Sequence, residues 1–399
     1  QNARLFDETK RLFEAERRSL AEDPPRRPTS TYRLQLHKGF RLADARGIVP
    51  YLHALGVSDV YLSPYLDARP GSTHGYDVFD HGRINPEIGD DAEHDRFTAE
   101  LARLGMGRVL DVVPNHMGIN GPNRFWLDVL EVGPLSRYSG FFDIDWDPVK
   151  DELEGRVLLP ILGDQYGKVL ESGELIVERR GGRFVLKYYD VTLPLSPQSY
   201  AIILGEAARD LSETFDQNDP QVLELVSIWA SAELLPDRRS RRPEHMTQWI
   251  REQTVIPRRL ERLCDDAPPL CALIDGALAR FRGEPGKPDS FDLLHRLLEA
   301  QVYRLSYWRV AAQEINYRRF FDINDLAGLR TEDPRVFETI HSRIFRWIAE
   351  GGVAGLRIDH PDGLADPLGY FRRLQESIFL IRCRVRFDAG GGDPEDWYA

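Results

Sequence analysis

Cysteine is scarce in this chain. Three in 399 residues, Cys264, Cys271 and Cys383, are too few and too scattered for a disulfide framework. They do not combine with histidine at the spacing of a metal cluster either. A run of about eighteen apolar residues is also missing, so no membrane-spanning helix is expected. The N-terminus is charged and has no signal-peptide apolar core. These absences together make a reducing cytoplasm the expected location. An excess of positive charge is lacking too. A formal net charge of −12 repels polyanions, so neither nucleic acid nor an anionic membrane is an expected partner. The local basic run Arg238, Arg239, Arg241 and Arg242 stands just before Pro243 and is expected to be a solvated loop. Finally, no glycine-rich turn follows the first strand pattern, which weakens a nucleotide-binding reading.

What is present is a chain long and apolar enough for one large or two to three ordinary domains. Residues 1–28 read as an amphipathic helix over 4–20 followed by a proline-rich linker. From Thr31 the pattern becomes strand, helix, strand, helix, strand: Thr31 to Leu36, Phe40 to Leu55, Asp59 to Pro64, Asp90 to Leu104, Arg108 to His116. Gly56 and Gly105 stand where helix C-caps are expected. That alternation means parallel βα units, and residues 29–116 are the first part of them. The rhythm stops over 117–299. This stretch is mostly helical in pattern, with a hairpin expected around Gly181-Gly182 and with Trp229 and Trp249 expected in its core. Over 300–399 the rhythm resumes with a helix from Pro334 to Glu350, a strand from Gly355 to Asp359 and a helix from Asp366 to Ile378. A fifth strand is expected over Ile381 to Phe387. The fold class expected is α/β, a partial (β/α)8 TIM barrel of the first four to five βα units with a large, mostly helical insertion after the third strand.

The stretch Gly355-Leu356-Arg357-Ile358-Asp359-His360-Pro361-Asp362-Gly363-Leu364 carries the most chemistry. Side chains alternate along a strand, so Arg357 and Asp359 share one face and Leu356 and Ile358 the other. The arginine favours the ionised carboxylate. A charged, oriented carboxylate at the C-terminal end of a strand can act as nucleophile or stabilise a developing cation. Taken alone, the pair is equally well an ordinary ion pair at a strand end.

Several motifs together carry a resemblance. His74-Gly75-Tyr76-Asp77, Asp111 to His116 and Gly355 to His360 are similar to signature regions of the alpha-amylase-type glycoside hydrolases. Thr31 to His37, Asn316 to Leu326 and His360 to Leu364 resemble, more narrowly, the maltooligosyl trehalose synthase family. The resemblance implies an intramolecular transglucosylation of a maltooligosaccharide or other α-glucan. The reducing-end α-1,4 bond becomes an α,α-1,1 bond, with no cofactor and no metal. It implies a nucleophile at Asp359, supported by Arg357, and an aromatic at Tyr76 that stacks on the glucose at the cleaved bond. It places His74, Asp77, His116 and His360 at that sugar's hydroxyls or pocket. Asp111 and Asn115 hold the arginine and the strand ends. Asp362 and Phe320 or Phe321 are further candidates for the acceptor pocket, although the plainer expectation for both phenylalanines is core. The partner implied downstream is a trehalose-releasing hydrolase.

One feature departs from the family. Its acid/base is a glutamate after the fifth strand, whereas this chain has Arg384-Val385-Arg386-Phe387-Asp388-Ala389-Gly390 there. Glu376 and Glu395 are the nearest glutamates. The expectation is a truncated or locally frame-shifted sequence, weakly active or inactive by itself. An amylase-like α-glucan hydrolase and a non-catalytic glucan-binding fragment are the alternatives.

Overall fold

The computed structural model describes residues 26–240 and 242–389. The helix expected over 4–20 and the tail that contains Glu395 lie outside the described residues. The chain divides into two compact units, one made of residues up to Gly118 together with those from Leu329, the other of Ile119–Gly328.

The first unit is built on a parallel sheet of four strands: β1 (Thr31–Leu34), β2 (Asp59–Leu62), β3 (Gly107–Val112) and β4 (Gly355–Ile358), adjacent in that order. The register aligns one leucine from each strand in a row, Leu34, Leu62, Leu110 and Leu356. This row belongs to the core, with Leu42, Ala45, Val49, Phe97 and Trp347 from the helices. The period of two then turns Arg33, Tyr61, Asp111 and Arg357 to the opposite face. The sequence alternation therefore divides the sheet into an apolar face and a polar one.

Three helices return the chain from one strand to the next: α1 (Leu42–Ala54), α2 (Asp91–Arg103) and α3 (Pro334–Ala349). Each ends in the same way. The amides of Gly56, Gly105 and Gly351 bond to carbonyls three residues back, and the following amides bond to carbonyls five back. All three glycines have positive φ. This double bond pattern needs a left-handed residue, which only glycine adopts without cost. Asp90 and Asp333 cap the N-termini of α2 and α3 by accepting from Glu93 N and Arg335 N.

The expected fifth strand is not formed. Ile381 to Phe387 lies inside a long helix, α4 (Pro367–Ala389). The alternation of Ile381, Cys383, Val385 and Phe387 fits a strand, but a longer pattern overrides it. Tyr370, Leu374, Ile378 and Ile381 follow at helical spacing, and all four belong to or pack against buried clusters. Pro367 opens the helix behind the Asp366 carboxylate, which accepts from Gly369 N. After Gly369 in the first turn, neither glycine nor proline follows until Gly390. Other limits shift modestly. β3 stops at Val112, and His116 opens a separate short strand, His116–Gly118.

A buried arginine ties the helices to the sheet. Arg108 of β3 is almost fully buried and donates to Gly352 O and Thr98 Oγ1. Its Nη1 lies 2.7 Å from His94 Nε2, so that ring nitrogen must accept. Trp347 stacks on His94 at 4.5 Å between centroids.

The second unit extends to Gly328, beyond the expected 299, because Tyr303–Tyr307 pairs in parallel with Val157–Leu162. It contains the helices Arg124–Val132, Pro220–Glu233, Pro243–Asp266 and Pro268–Leu278. The expected hairpin is present, with Leu175–Arg180 against Arg183–Tyr188 and the Gly181-Gly182 turn between them. Trp249 is fully buried, whereas Trp229 is half-buried. Arg238, expected in a solvated loop, is largely withdrawn from water and donates to Ala300 O. Burial and the nearby Arg156 charge lower its pKa to about 10. Among the described residues, no helix is long and apolar enough to cross a membrane.

Acid should weaken the first unit. Burial lowers the pKa of His94 to about 4, aided by Arg108, and burial lowers that of His341 to about 4. Between about pH 6.5 and 4 the unfolded chain binds these protons and the folded chain does not, so stability falls as the pH drops through that window. Urea melts at pH 7, 5.5 and 4.5 should show midpoints that decrease in that order. Replacing His341 by Gln should flatten the trend.

Candidate active site

At the C-terminal edge of the parallel sheet, four side chains converge on Asp111. Its own side chain is fully buried. Arg357 Nη1 donates to Oδ1 at 2.9 Å. The hydroxyls of Tyr61 and Tyr76 each donate to Oδ2 at 2.7 Å, and Arg33 Nη1 reaches the same oxygen at 3.4 Å. Arg33 also donates to Tyr76 Oη at 3.1 Å and lies over the Tyr61 ring. Asp111 therefore accepts from four donors, one at Oδ1 and three at Oδ2. The register explains the convergence: Arg33 pairs with Tyr61, and Asp111 with Arg357.

The same Arg357 Nη1 donates to Asp359 Oδ1. Arg357 thus bridges a fully buried carboxylate to one that is 14% exposed. The backbone amide of Asp359 bonds to Val112 O at 2.8 Å, which extends the β3–β4 ladder by one residue and fixes where this carboxylate stands. The paired charges act on each other. Burial works to lower the Arg357 pKa, but the hydrogen bonds to Asp111 and Asp359 prevail and hold it above the ordinary arginine value. Burial, then the bond to Asp111, raises both tyrosines, Tyr61 and Tyr76. Both are neutral donors at neutral pH.

The His74 to Asp77 motif forms a tight loop beside this network. His74 Nδ1 accepts from Tyr76 N at 3.1 Å, and Ser72 Oγ donates to Asp77 Oδ1 at 2.5 Å. The His74 and Tyr76 rings lie parallel at 6.0 Å. His74 therefore caps a turn while remaining half-exposed. Tyr76 packs its ring on the core and aims its hydroxyl at Asp111. Gly75 has φ +78°, and a Cβ there would lie 2.1 Å from Pro64 O, so no other residue fits. His116 is fully buried, with Nε2 3.2 Å from Tyr76 O and Nδ1 3.4 Å from Asn115 Nδ2. His360 has left-handed backbone, φ +46°, and pairs with the exposed Asp362 at 3.3 Å.

The site thus brings together Asp359, Arg357, Asp111 and Tyr76 by direct bonds. His116, Asn115, His74 and Asp77 are held through the Tyr76 loop, and His360 follows Asp359 in the chain. Phe320 and Phe321 belong to the other unit, and Phe321 is 70% exposed rather than core. Sequence reasoning passed over Arg33 and Tyr61. Strand alternation was the available signal, since both stand on the face opposite Leu34 and Leu62. The segment where a glutamate acid/base was sought is the C-terminal part of α4, where Arg384 pairs with Asp388. Glu376 is exposed on the same helix. Among the described residues, no group of three or more histidines, cysteines or carboxylates could hold a metal ion.

Residues 35–148 match the family model described as alpha amylase, catalytic domain. Over 88% of its length the chain is 33% identical to a putative maltooligosyl trehalose synthase of Mycobacterium tuberculosis. The structure of maltooligosyltrehalose synthase from Arthrobacter ramosus superposes with a TM-score of 0.59 at 34% identity, over 88% of this chain and 34% of that one. A shorter match, 39% over 112 residues, links 27% of this chain to 18% of an intracellular maltogenic amylase of Bacillus subtilis. The chain spans about a third of the length of the curated synthases that it matches.

Removing the shared acceptor should loosen the whole network. Asp111→Ala leaves two tyrosine hydroxyls and the Arg33 and Arg357 guanidinium groups without their shared partner, a loss of about 1–3 kcal/mol. Urea denaturation of the variant beside Tyr61→Phe, which removes a single donor and should cost less, measures this.

Proposed function

On the premise that the chain is a relative of the maltooligosyl trehalose synthases, we propose that its first unit carries the glucosyl-transfer centre of such an enzyme, in the first half of a (β/α)8 barrel interrupted by the second unit. The observation that carries this reading is the Arg357 bridge from buried Asp111 to the more accessible Asp359.

In this reading Asp359 attacks the anomeric carbon of the penultimate glucosyl unit of a maltooligosaccharide, and the bond to the terminal glucose breaks through an oxocarbenium-like state. Arg357 holds the carboxylate oriented until attack. Asp111 does not react, because its side chain is fully buried and held by four donors. Tyr76 presents its ring to the sugar while Asp111 fixes the hydroxyl. His74, Asp77, His116 and His360 bond to the hydroxyls or shape the pocket. The released glucose is retained, water is excluded, and the anomeric oxygen of that glucose attacks the glycosyl-enzyme to give the α,α-1,1 bond. The product would pass to a trehalose-releasing hydrolase in the cytoplasm.

The proton for the leaving oxygen is a separate matter. The family's glutamate has no counterpart in the helical segment 381–389. General acid catalysis contributes roughly 10²–10⁴-fold, so turnover by this chain alone should be slower than an ordinary enzyme by about that factor. Maltopentaose should lose reducing ends slowly and without release of glucose or maltose, and Asp359→Asn should abolish even this. Release of free sugars at a rate unaffected by Asp359→Asn would defeat the proposal. Hydrolysis that does depend on Asp359 would favour an amylase-like activity instead.

A further inference from the structure

The basic run before Pro243 turns inward. Arg238 and Arg239 line a cavity of about 650 Å³ that lies wholly within the second unit, inside the size range of small-molecule sites. Most of its lining residues are charged, and their hydrogen bonds and ion pairs sort them into two sets. The first set gathers at the end of the helix Asp292–Glu299. Arg238 Nη1 donates to Ala300 O at 2.7 Å, and Arg156 Nη2 donates to Glu299 O at 2.8 Å. The carboxylate of Glu299 is shared, with Arg156 Nη1 at 3.2 Å and Arg304 Nη1 at 3.8 Å. Three guanidinium groups thus stand against a single carboxylate.

Arg238 is the least satisfied of the three. Among the described residues it has no ion-pair partner, and Ala300 O is its one hydrogen-bond acceptor. Asp237 attracts it, but burial and the Arg156 charge prevail. A cation withdrawn from water beside a like charge is poorly tolerated without a counter-ion. The planar fork of a guanidinium matches phosphate oxygens. Backbone carbonyls already hold Arg156 and Arg238 in place, so their remaining donors are ordered before a ligand arrives. Glu299 and the helix C-terminus oppose an anion, and the three guanidinium groups outweigh them.

The second set is acidic. Arg239 pairs with Asp237 at 3.3 Å and with Glu154 at 3.5 Å. Asp151 and Glu152 also line the cavity, from the exposed start of the turn Asp151–Leu153. Ionised carboxylates only accept hydrogen bonds, so they suit hydroxyls. A bare anion would use the first set and be repelled by the second. A molecule with one phosphate and several hydroxyls uses both.

We propose that this cavity binds a phosphorylated sugar, with the phosphate on Arg156, Arg238 and Arg304 and the hydroxyls on the carboxylates around Arg239. Calorimetric titration of the chain with glucose 6-phosphate, inorganic phosphate and glucose tests this. Glucose 6-phosphate should bind at millimolar concentration or below, and each of the other two at least about tenfold more weakly. Arg238→Met should weaken glucose 6-phosphate binding at least about tenfold. Because Arg238 also holds Ala300 O, a second variant is needed. Arg304 is 39% exposed, and Arg304→Gln leaves the bonds at the helix end in place; it too should weaken binding, with the thermal midpoint unchanged. If Arg238→Met fails to fold, Arg304→Gln decides alone. No binding of glucose 6-phosphate, or binding that survives the folded variants undiminished, overturns the site. Inorganic phosphate binding as tightly as glucose 6-phosphate overturns the role of the carboxylates, and glucose binding as tightly overturns the role of the arginines; either result removes the phosphosugar assignment.

Discussion

The buried carboxylate of Asp111 is the constraint on which the rest of the site depends. A charge with no exposure to water is tolerated only when hydrogen bonds replace its hydration. Here the replacements come from four places in the chain: Arg33 of the first strand, Tyr61 of the second, Tyr76 of the loop that follows, and Arg357 of the fourth. Satisfying Asp111 therefore sets the positions of the tyrosine ring and the guanidinium. The guanidinium, in turn, holds Asp359. The more exposed carboxylate is oriented by a chain of bonds that begins at a side chain with no access to solvent.

The sheet makes this arrangement possible. A row of four leucines commits one face of the strands to the helices, and the period of two leaves polar groups on the other. Three helices with matching glycine-terminated ends return the chain at the same edge each time. The loops that hold Tyr76, His116 and Asp359 consequently gather at the carboxyl ends of the strands, which is where chemistry collects in parallel α/β folds.

Much of this was legible in the sequence. The alternation in Leu356 to Asp359 gave the two faces of the fourth strand, and Gly56 and Gly105 marked the helix ends. The convergence on Asp111 was not legible, because it depends on strand register: Arg33 and Tyr61 are ordinary residues until pairing sets them side by side. The segment Ile381 to Phe387 misled for a related reason. Its local alternation fits a strand, yet the four-residue spacing back to Tyr370 decides the outcome, since a helix already capped at Asp366 gains a bond with each added residue. Phe321 was hidden as well. An aromatic pair looks like core until the turn that contains it is known to be a two-residue hairpin.

The central claim is that Asp359, held by Arg357, is poised to bond covalently to an anomeric carbon. The most direct measurement avoids the leaving-group proton altogether. Fluoride departs without protonation, so a 5-fluoro-α-glucosyl fluoride should glycosylate the nucleophile whether or not an acid is present. Peptide mass mapping after incubation is expected to place the adduct on Asp359, with Asp359→Asn unlabelled and Arg357→Lys labelled far more slowly. An adduct on another carboxylate, or labelling that ignores Arg357, would contradict the account.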